Sequence, residues 1–361
     1  MAKILVAMSG GVDSSVAAKL LIDQGHEVAG ATMKLFSNED IVLCDDATRT
    51  CCALSDVEDA RRVADKLGIE HFVYNFRDLF AEKVIGHFVD SYLEGKTPNP
   101  CIDCNRWLKF DKLIERATLL GFDAVATGHY SIITREPATG RYVLRRGVDR
   151  SKDQSYVLYS LTQAQLARTL FPLGELDKAT VRKIAEEAGL VNARKPDSQD
   201  ICFVPGGDYP AFIDKAAPGR VIPGDFIDLA GKVIGKHKGV AHYTIGQRRG
   251  IAAAFGKPMY VVAKNATDNT VTLGEDKDLM STSLVANDVN LISVERLDGP
   301  MNVTVKIRYN QNEQEATVTP LADGEIRVDF AQPQRAVTEG QAVVLYSGDA
   351  VVGGGTIVSK S

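Results

Sequence analysis

Two kinds of hydrophobic pattern alternate along the first half of the chain. Short apolar runs predict β-strands at Ile4–Ala7, Val28–Met33, His71–Tyr74 and Ala124–Thr127. Apolar residues at helical spacing predict helices at Ser14–Gln24, Asp56–Leu67, Leu79–Leu93, Leu108–Leu120 and Lys178–Ala188. A capping box fits Ser55–Glu58, and helix C-caps are predicted at Gly25, Gly68, Gly121 and Gly189. This alternation predicts an α/β fold with a doubly wound parallel sheet that binds its ligand at the carboxyl ends of the strands.

The pattern changes after Cys202, where glycine and proline become frequent and helical spacing fades. Short alternating runs at 221–273 and 302–358 predict antiparallel strands. With a boundary near 276–283, the chain divides into three predicted domains, at 1–200, 201–278 and 279–361. The second and third are predicted to be small β domains.

The segment Met8–Val16, M-S-G-G-V-D-S-S-V, joins the first predicted strand to the first predicted helix. A helix start offers unpaired N–H groups and a positive dipole end, and glycines let a phosphate approach the backbone. The chain has no G-x-x-x-x-G-K-[ST] sequence, which excludes a Walker-type loop. The segment resembles the pyrophosphatase loop (PP-loop) of enzymes that split ATP into AMP and pyrophosphate.

The overall composition limits the classes of function. The chain has 361 residues, 45% of them hydrophobic and 25% charged, with a net charge of −5. Nucleic acid would therefore be bound by local basic patches rather than by overall charge. No apolar run approaches the roughly 18–20 residues of a membrane span, and the N-terminus lacks a signal-peptide layout. We expect a cytoplasmic protein whose six cysteines are reduced, and so reactive or metal-binding.

Two cysteine segments stand out. The first, T-P-N-P-C-I-D-C-N at 97–105, is predicted to be a stiff, extended loop because its prolines oppose a helix. A helix is predicted from about Asn105, so Cys104 should lie near its N-terminus, where the dipole favours thiolate. The second, D-S-Q-D-I-C-F at 197–203, carries Cys202 where the α/β region ends.

The phosphate loop and both cysteine segments, in this order, make the chain resemble the tRNA-specific 2-thiouridylases. A-T-G-H-Y at 126–130, K-D-Q-S-Y at 152–156 and Y-T-I-G-Q-R at 243–248 agree with that pattern. The resemblance spans the chain and is weaker toward its end. It implies an ATP-dependent sulfurtransferase that converts the wobble uridine (U34) of tRNA into 2-thiouridine. It also implies a PP-loop domain followed by two β domains, the last a β-barrel.

The resemblance also assigns roles in the reaction. Uridine O2 would attack the α-phosphorus of ATP and release pyrophosphate, and sulfur would then displace AMP. Cys202 would carry the persulfide, and Cys104 would be the nucleophile that releases hydrosulfide or closes a transient Cys104–Cys202 disulfide. Asp13 could hold Mg²⁺. The residues implied for ATP are Ala7, Met8, Ser9, Gly10, Gly11, Val12, Asp13, Ser14 and Ser15, with Met33 and Gly128 near the adenine.

The resemblance further implies partners and their contacts. Thr97, Pro98 and Asn99 would border a flipped-out target base. The residues expected to touch tRNA are His129, Lys152, Asp153, Gln154, Arg308, Tyr309 and Gln341. Other basic clusters are Arg145-Arg146, Arg150–Lys152 and Arg248-Arg249, and a core position is the alternative for His129. The implied tRNAs are lysine, glutamate and glutamine isoacceptors. The sulfur donor would be a cysteine desulfurase or a relay protein, and a monomer is expected.

The chain departs from the better-known family pattern at Cys101, where that pattern has aspartate. Cys101, Cys104 and Cys202 could instead hold a [4Fe–4S] cluster, although the metal-free persulfide route is favoured. Cys44, Cys51 and Cys52 are interpreted as structural or incidental thiols rather than a zinc site. Two other functions stay open: a different PP-loop adenylating synthetase, and a nucleotide-binding scaffold that recruits RNA without turnover.

Overall fold

The computed structural model of the chain describes residues 1–36, 54–197, 201–251 and 257–361. Cys44, Cys51 and Cys52 lie outside the described residues, as do Ser198, Gln199 and Asp200.

The first strands and helices alternate as the hydrophobic pattern predicts. The strands are β1 (Lys3–Ala7), β2 (Glu27–Lys34), β3 (His71–Asn75), β4 (Ala124–Ala126), β5 (Ser131–Arg135), β6 (Tyr142–Arg146) and β7 (Thr169–Leu170). The helices are α1 (Val12–Asp23), α2 (Leu54–Leu67), α3 (Arg77–Phe80), α4 (His87–Leu93), α5 (Pro100–Asp103), α6 (Leu113–Leu119), α7 (Gln163–Leu166) and α8 (Lys178–Glu187). Two π-helical segments, Ala81–Gly86 and Cys104–Lys112, join α3 to α4 and α5 to α6.

Five of these strands form a parallel sheet in the order β3-β2-β1-β4-β7. Leu5 and Ala7 of β1 pack into one hydrophobic cluster, and Ile4 and Val6 pack into another. Because successive side chains point to opposite faces, both faces of the sheet are covered. The predicted doubly wound parallel sheet is therefore confirmed.

Two local predictions are wrong. The capping box predicted at Ser55–Glu58 is wrong, because Ser55 already lies inside helix α2. The carboxylate of the next residue, Asp56, accepts a hydrogen bond from Lys195. The helix predicted from about Asn105 begins at Pro100, because proline at the first helical position needs no hydrogen-bond partner for its nitrogen. The predicted C-cap glycines do have the expected positive φ angles: Gly25, Gly68, Gly121 and Gly189.

The central region begins with helix α9 (Tyr209–Ala216), which the sequence pattern did not predict. A four-stranded sheet follows, built from β8 (Gly224–Ile227), β9 (Val233–His237), β10 (Tyr260–Asn265) and β11 (Thr270–Gly274). Its order is β10-β11-β8-β9, and β11 pairs with β8 in parallel, so the expectation of wholly antiparallel strands is wrong here. A small core that includes Phe226 and Leu273 holds this region together.

The last region is a closed six-stranded barrel. Its strands are β12 (Met280–Leu291), β13 (Met301–Lys306), β14 (Gln314–Pro320), β15 (Ile326–Arg335), β16 (Ala342–Ser347) and β17 (Ala350–Lys360). The order β12-β15-β14-β13-β16-β17 closes because β17 also pairs with β12. The hairpin β5–β6 joins this sheet through the pair Ala350 and Arg145. The N-terminal region thus contributes two strands to the barrel sheet.

Among the residues that the structure describes, none of the helices combines the length and the apolar character needed to cross a bilayer.

Candidate functional site

The phosphate loop lies between the end of β1 at Ala7 and the start of α1 at Val12. Gly10 has a φ of +73°, and a Cβ built there would lie 2.3 Å from the carbonyl oxygen of Asp56. Gly11 is the N-cap and has no side chain to cover the first-turn N–H groups of α1. This loop therefore has the backbone shape that binds an anion at a helix N-terminus.

The serines of the loop divide into two groups by exposure. Ser14 and Ser15 are buried, and each hydroxyl donates to the carbonyl of Gly11, over 3.2 and 3.0 Å. The Ser14 hydroxyl also accepts from the backbone N–H of Ser9, whose own side chain is exposed. Ser14 and Ser15 thus brace the turn from inside, and Ser9 faces outward.

Gly128 and Met33, predicted to border the adenine, lie beside this loop. A Cβ on Gly128 would lie 2.6 Å from the backbone nitrogen of Ser14, so only glycine allows the loop after β4 to approach α1 this closely. Met33 is half-buried near the end of β2, two residues beyond the pairing of Ala7 with Ala31. Both residues therefore occupy the carboxyl edge of the sheet.

A second segment supports the loop from behind, and sequence reasoning missed it. The Asn192 amide donates to the carbonyl of Gly10 over 3.0 Å and to the Ser15 hydroxyl over 2.9 Å. Lys195 also donates to the Gly10 carbonyl and pairs with Asp56. Burial opposes the charge on Lys195, but hydrogen bonds from its ammonium to neighbouring carboxylates raise its pKa. These contacts fix the position of Gly10.

Asp13 lies at the centre of a charged network. Its carboxylate accepts a 2.7 Å hydrogen bond from the Tyr130 hydroxyl, and the Lys178 ammonium lies 2.7 and 2.8 Å from its two oxygens. The same ammonium lies 2.8 Å from Asp197, which also pairs with Lys152 at 2.9 Å. Burial opposes ionisation of Asp197, but hydrogen bonds from Lys152 and Lys178 outweigh it and lower its pKa to about 2.

The first cysteine segment forms a capped helix. The Asn99 side chain accepts from the backbone N–H of Cys101 over 3.1 Å, and Pro100 occupies the first helical position. Cys101 is exposed in this first turn, whereas Cys104 lies one turn further on and is partly buried. The helix begins four residues before Cys104, so this thiol lies just after the first turn, near the N-terminus of the helix but not at its first residues.

Cys104 and Cys202 pack against the same hydrophobic cluster, which contains Phe80, Phe88 and Phe203. The Phe203 ring meets Phe88 edge-on, with centroids 5.2 Å apart. The structure thus brings the two cysteine segments to one core, although they are far apart in sequence.

The three thiols do not form a metal-binding group in this structure. Across the described ranges of the chain, no three His, Cys, Asp or Glu side chains are arranged to hold a metal ion. Cys101 is exposed on its helix, whereas Cys104 and Cys202 face the core. The ligand set that a [4Fe–4S] cluster would need at these cysteines is therefore not assembled.

The loop at 97–99 is attached to the barrel. The Thr97 N–H donates to the carbonyl of Glu339 over 2.9 Å, and the Gln341 amide donates to the Thr97 carbonyl over 2.8 Å. A cavity of about 200 Å³ lies beside the loop, and its lining includes Pro98, Asn99, Asp103, His87, Tyr159 and Gly340. Within it His87 bonds to Asp103, which raises the pKa of His87.

Several residues predicted to contact tRNA lie together where the first region meets the barrel. The Tyr309 hydroxyl donates to the carbonyl of Asp153 over 3.2 Å, and Arg308 donates to the carbonyls of Arg335 and Ala336. The Gln154 side chain accepts from the N–H of Tyr130. The K-D-Q segment is thereby linked both to Tyr309 and to the Asp13 network.

His129 lies in the core rather than on the surface. Its ring packs near Phe110 and Phe171, and its Nδ1 lies 2.6 Å from the Thr127 hydroxyl. Burial is the main cause that lowers the pKa of His129 well below its usual value, and the nearby positive charge of Lys109 lowers it further. This position matches the core alternative; the predicted tRNA contact remains a prediction.

The basic clusters are largely paired within the protein. Arg146 pairs with Glu313 and lies over the Tyr346 ring, and Arg150 pairs with Asp349. Arg248 and Arg249 are exposed. Of the three clusters, the last presents its charge most openly to a phosphate backbone.

The parallel sheet, its glycine-rich phosphate loop and the two β regions define a PP-loop-type α/β protein with two appended β domains. Family models match residues 2–206 (tRNA methyl transferase HUP domain), 211–275 (PRC-barrel domain) and 281–357 (aminomethyltransferase beta-barrel domain). The tRNA-specific 2-thiouridylase MnmA of Clostridioides difficile is 51% identical over 99% of this chain and 98% of its own. The corresponding protein of Acetivibrio thermocellus is 51% identical over 98% and 99%. The chain therefore belongs to the tRNA-specific 2-thiouridylase family, as its motifs indicated.

The chain also matches solved structures of more distant sequence. A 4-thiouridine synthetase in complex with RNA and ATP matches with a TM-score of 0.38 and 19% identity, over 61% of this chain and 51% of that chain. A match at this level carries no argument about the site.

Proposed function

We propose that this protein is an ATP-dependent sulfurtransferase that converts the wobble uridine of tRNA into 2-thiouridine. The observation that carries the proposal is that Cys104 and Cys202 pack against one hydrophobic core, while Lys178 links Asp13 of the PP-loop to Asp197, which begins the Cys202 motif. The name shared by the relatives supports the same reaction. A methyl transfer, which the description of the first family model mentions, would need neither the phosphate loop nor the thiol pair.

The loop would hold the triphosphate. The first-turn N–H groups of α1 and the exposed Ser9 hydroxyl offer donors, and Gly10 and Gly128 let the nucleotide approach the backbone. The proposed ATP-binding residues are Ala7 to Ser15, Met33 and Gly128. Uridine O2 would attack the α-phosphorus, so that pyrophosphate leaves and the base carries AMP.

The donor chemistry of the loop is compatible with Mg²⁺. Asp13 supplies hard carboxylate oxygens, and ATP phosphates and waters would supply the remaining ligands of a bound Mg²⁺. When bound, the ion would offset charge on the phosphates. Lys178 already balances the charge of Asp13 in this structure.

The cysteines would then exchange oxygen for sulfur. A persulfide on Cys202 attacks C2, and AMP leaves with the former O2. The Cys104 thiolate attacks the Cys202 sulfur, forming the Cys104–Cys202 disulfide while the terminal sulfur stays on C2. In the other route Cys104 attacks first and releases that sulfur as hydrosulfide, which then attacks C2. A reductant of the thiol class restores both cysteines.

The tRNA would lie across the junction of the first region with the barrel. The loop of Thr97, Pro98 and Asn99 leads directly into the helix that carries Cys104. A base that reacts with the cysteines would therefore have this loop at its border. The proposed tRNA contacts are His129, Lys152, Asp153, Gln154, Arg308, Tyr309 and Gln341. We propose lysine, glutamate and glutamine tRNAs as substrates, a cysteine desulfurase or relay protein as donor, and a cytoplasmic monomer as the working form.

The proposal is tested with purified protein, unmodified tRNA, ATP and a cysteine desulfurase with cysteine. Cys104→Ser and Cys202→Ser should each abolish 2-thiouridine in digested tRNA, measured by mass spectrometry, while ATP still binds. Thiolation at the wild-type rate in either variant contradicts the proposal. Cys101→Ser is the matched control, and we expect it to stay active. Loss of activity in that control, with iron and acid-labile sulfide in anaerobically purified protein, would favour the cluster route.

A further inference from the structure

Lys306 is a half-buried cation where the barrel meets the first region. It is the last residue of β13, and its ammonium lies 5.9 Å from the centroid of the Tyr309 ring. Burial lowers the pKa of Lys306, and the nearby charges of Asp153, Arg146 and Glu313 do not restore it. The Lys306 ammonium forms no ion pair or hydrogen bond with any residue that the structure describes.

The first of the two neighbouring carboxylates, Asp153, is already bound within its own segment. One of its oxygens accepts from the backbone N–H groups of Gly147 and Ser155, over 3.1 and 3.2 Å. The other accepts from the Ser155 hydroxyl over 2.8 Å. Local donors therefore satisfy Asp153, and its carboxylate does not need Lys306.

The second carboxylate, Glu313, is used in the same way. One oxygen accepts from Arg146, and the other accepts from the Thr304 hydroxyl over 2.9 Å. Arg146 is only 10% exposed, and its Nε and Nη2 atoms are buried without a hydrogen-bond partner among the described residues. The neighbourhood of Lys306 thus holds more N–H donors than acceptors, which favours an incoming anion.

The aromatic ring beside Lys306 is partly open to solvent. Tyr309 keeps 36% of its surface exposed, although its hydroxyl donates to the carbonyl of Asp153. Burial and the charge of Asp153 raise the pKa of Tyr309, and Cys101 raises it further, so the first turn of the cysteine helix lies nearby. An exposed ring next to a cation suits a nucleotide of single-stranded RNA, because the base can stack while the phosphate pairs.

RNA fits these residues better than ATP does. Lys306 belongs to the barrel sheet, whereas the phosphate loop follows β1 of the parallel sheet. The chain has a net charge of −5, so RNA must be held by local cations. A phosphate can bind to Lys306 without displacing a carboxylate, unlike at Arg150, which pairs with Asp349.

We propose that Lys306 and the exposed face of the Tyr309 ring bind one nucleotide of the substrate tRNA beside the helix that carries Cys104. The ammonium of Lys306 binds a backbone phosphate, and the ring of Tyr309 stacks on a base. This inference rests on the proposed function for the identity of the RNA.

The test measures binding of unmodified glutamate tRNA to the full-length protein by fluorescence anisotropy, in about 50 to 200 mM potassium chloride. Lys306→Gln should weaken binding about fivefold at the lowest salt. It should also reduce the slope of log affinity against log salt by about 0.7, the value for one phosphate of a single strand. Lys306→Arg should restore the slope. Tyr309→Leu should weaken binding without changing the slope, because it removes a ring and no charge.

Lys232→Gln is the matched control, since Lys232 is an exposed lysine between β8 and β9 of the central sheet. It loses the same charge and should keep the wild-type slope. Equal slopes in Lys306→Gln and the wild type, or an equal fall in Lys232→Gln, would overturn the site. Failure of the wild type to bind tRNA would count against the proposed function, whereas tight binding with an unchanged slope in Lys306→Gln would count only against this site.

A stability measurement separates binding from a structural role. The Lys306 ammonium has no ion pair to lose, so Lys306→Gln should unfold in denaturant at the wild-type midpoint or above it. A lower midpoint together with an unchanged salt slope would show that Lys306 supports the barrel rather than RNA.

Discussion

The side-chain amide of Gln341 donates a 2.8 Å hydrogen bond to the carbonyl of Thr97, so a barrel residue holds the loop that precedes the cysteine helix. The Thr97 N–H is bonded in turn to the Glu339 carbonyl. These two hydrogen bonds from the barrel therefore help to fix the loop at 97–99 in the protein without tRNA.

Replacing Gln341 should separate loop positioning from ATP binding. Gln341→Ala removes a hydrogen bond that contributes about 1 kcal/mol, so we expect thiolation to fall about fivefold. ATP affinity, measured by calorimetry, should stay unchanged because the phosphate loop lies on a different sheet. Gln332→Ala, an exposed barrel position, is the control. An equal fall in that control would refute a specific role for Gln341.

Gly128→Ala should disrupt the phosphate loop. The added methyl would lie 2.6 Å from the Ser14 nitrogen, so α1 or the loop after β4 must shift. We expect ATP affinity to drop more than tenfold and the free energy of unfolding to fall by about 1–3 kcal/mol. Gly299→Ala, which meets no atom within 4 Å, should change neither quantity. Wild-type ATP affinity in Gly128→Ala would mean that this close approach is not required.

Two substitutions of Asn99 distinguish helix capping from base contact. Asn99→Ala removes the cap on Cys101 and should lower the free energy of unfolding by about 1 kcal/mol. Asn99→Asp keeps a capping oxygen and should keep that stability. Thiolation should fall in both if Asn99 also borders the base. Full thiolation in Asn99→Asp would limit the residue to capping.

Lys264 should make stability depend on pH. Its ammonium donates to the Tyr243 carbonyl and lies 5.9 Å from the centroid of the Tyr92 ring, and burial lowers its pKa to about 7. Between pH 7 and the ordinary value of 10.5 the unfolded chain binds this proton and the folded chain does not, so stability should rise with pH.

The measurement compares wild type with Lys264→Met by chemical denaturation at several pH values. Within that window the wild type should gain up to about 1.4 kcal/mol per pH unit relative to the variant. Below pH 7 the difference should become constant. Identical pH profiles for the two proteins would show that Lys264 keeps its ordinary proton affinity.

Local sequence signals accounted for the phosphate loop and its sheet. Strand β1 is buried on both faces, so its apolar run is continuous, and Gly10 marks the turn that follows. The same kind of reasoning failed at Pro100, because proline was taken as a helix breaker although the first helical position tolerates it. Strand β12 was missed because polar residues interrupt its pattern.

The supporting residues of the site could not be predicted in the same way. Asn192, Lys195 and Lys178 are single polar residues whose partners lie more than a hundred positions away in sequence. No periodicity marks such residues, since their role depends on the packing of α8 and the segment after it against α1. Asp197 was visible only as part of the cysteine motif, and its bridge to Asp13 through Lys178 is a property of the folded chain.

The pairing of β6 with β17 has a consequence for synthesis. Arg145 leaves the ribosome long before Ala350, so this hairpin edge stays uncovered while the rest of the chain is still being made. Strand β6 ends in Arg145 and Arg146, and the repulsion between these like charges discourages edge-to-edge pairing of two unfinished chains. Truncation before Ala350 would leave that edge permanently open, and aggregation of such fragments is the expected result.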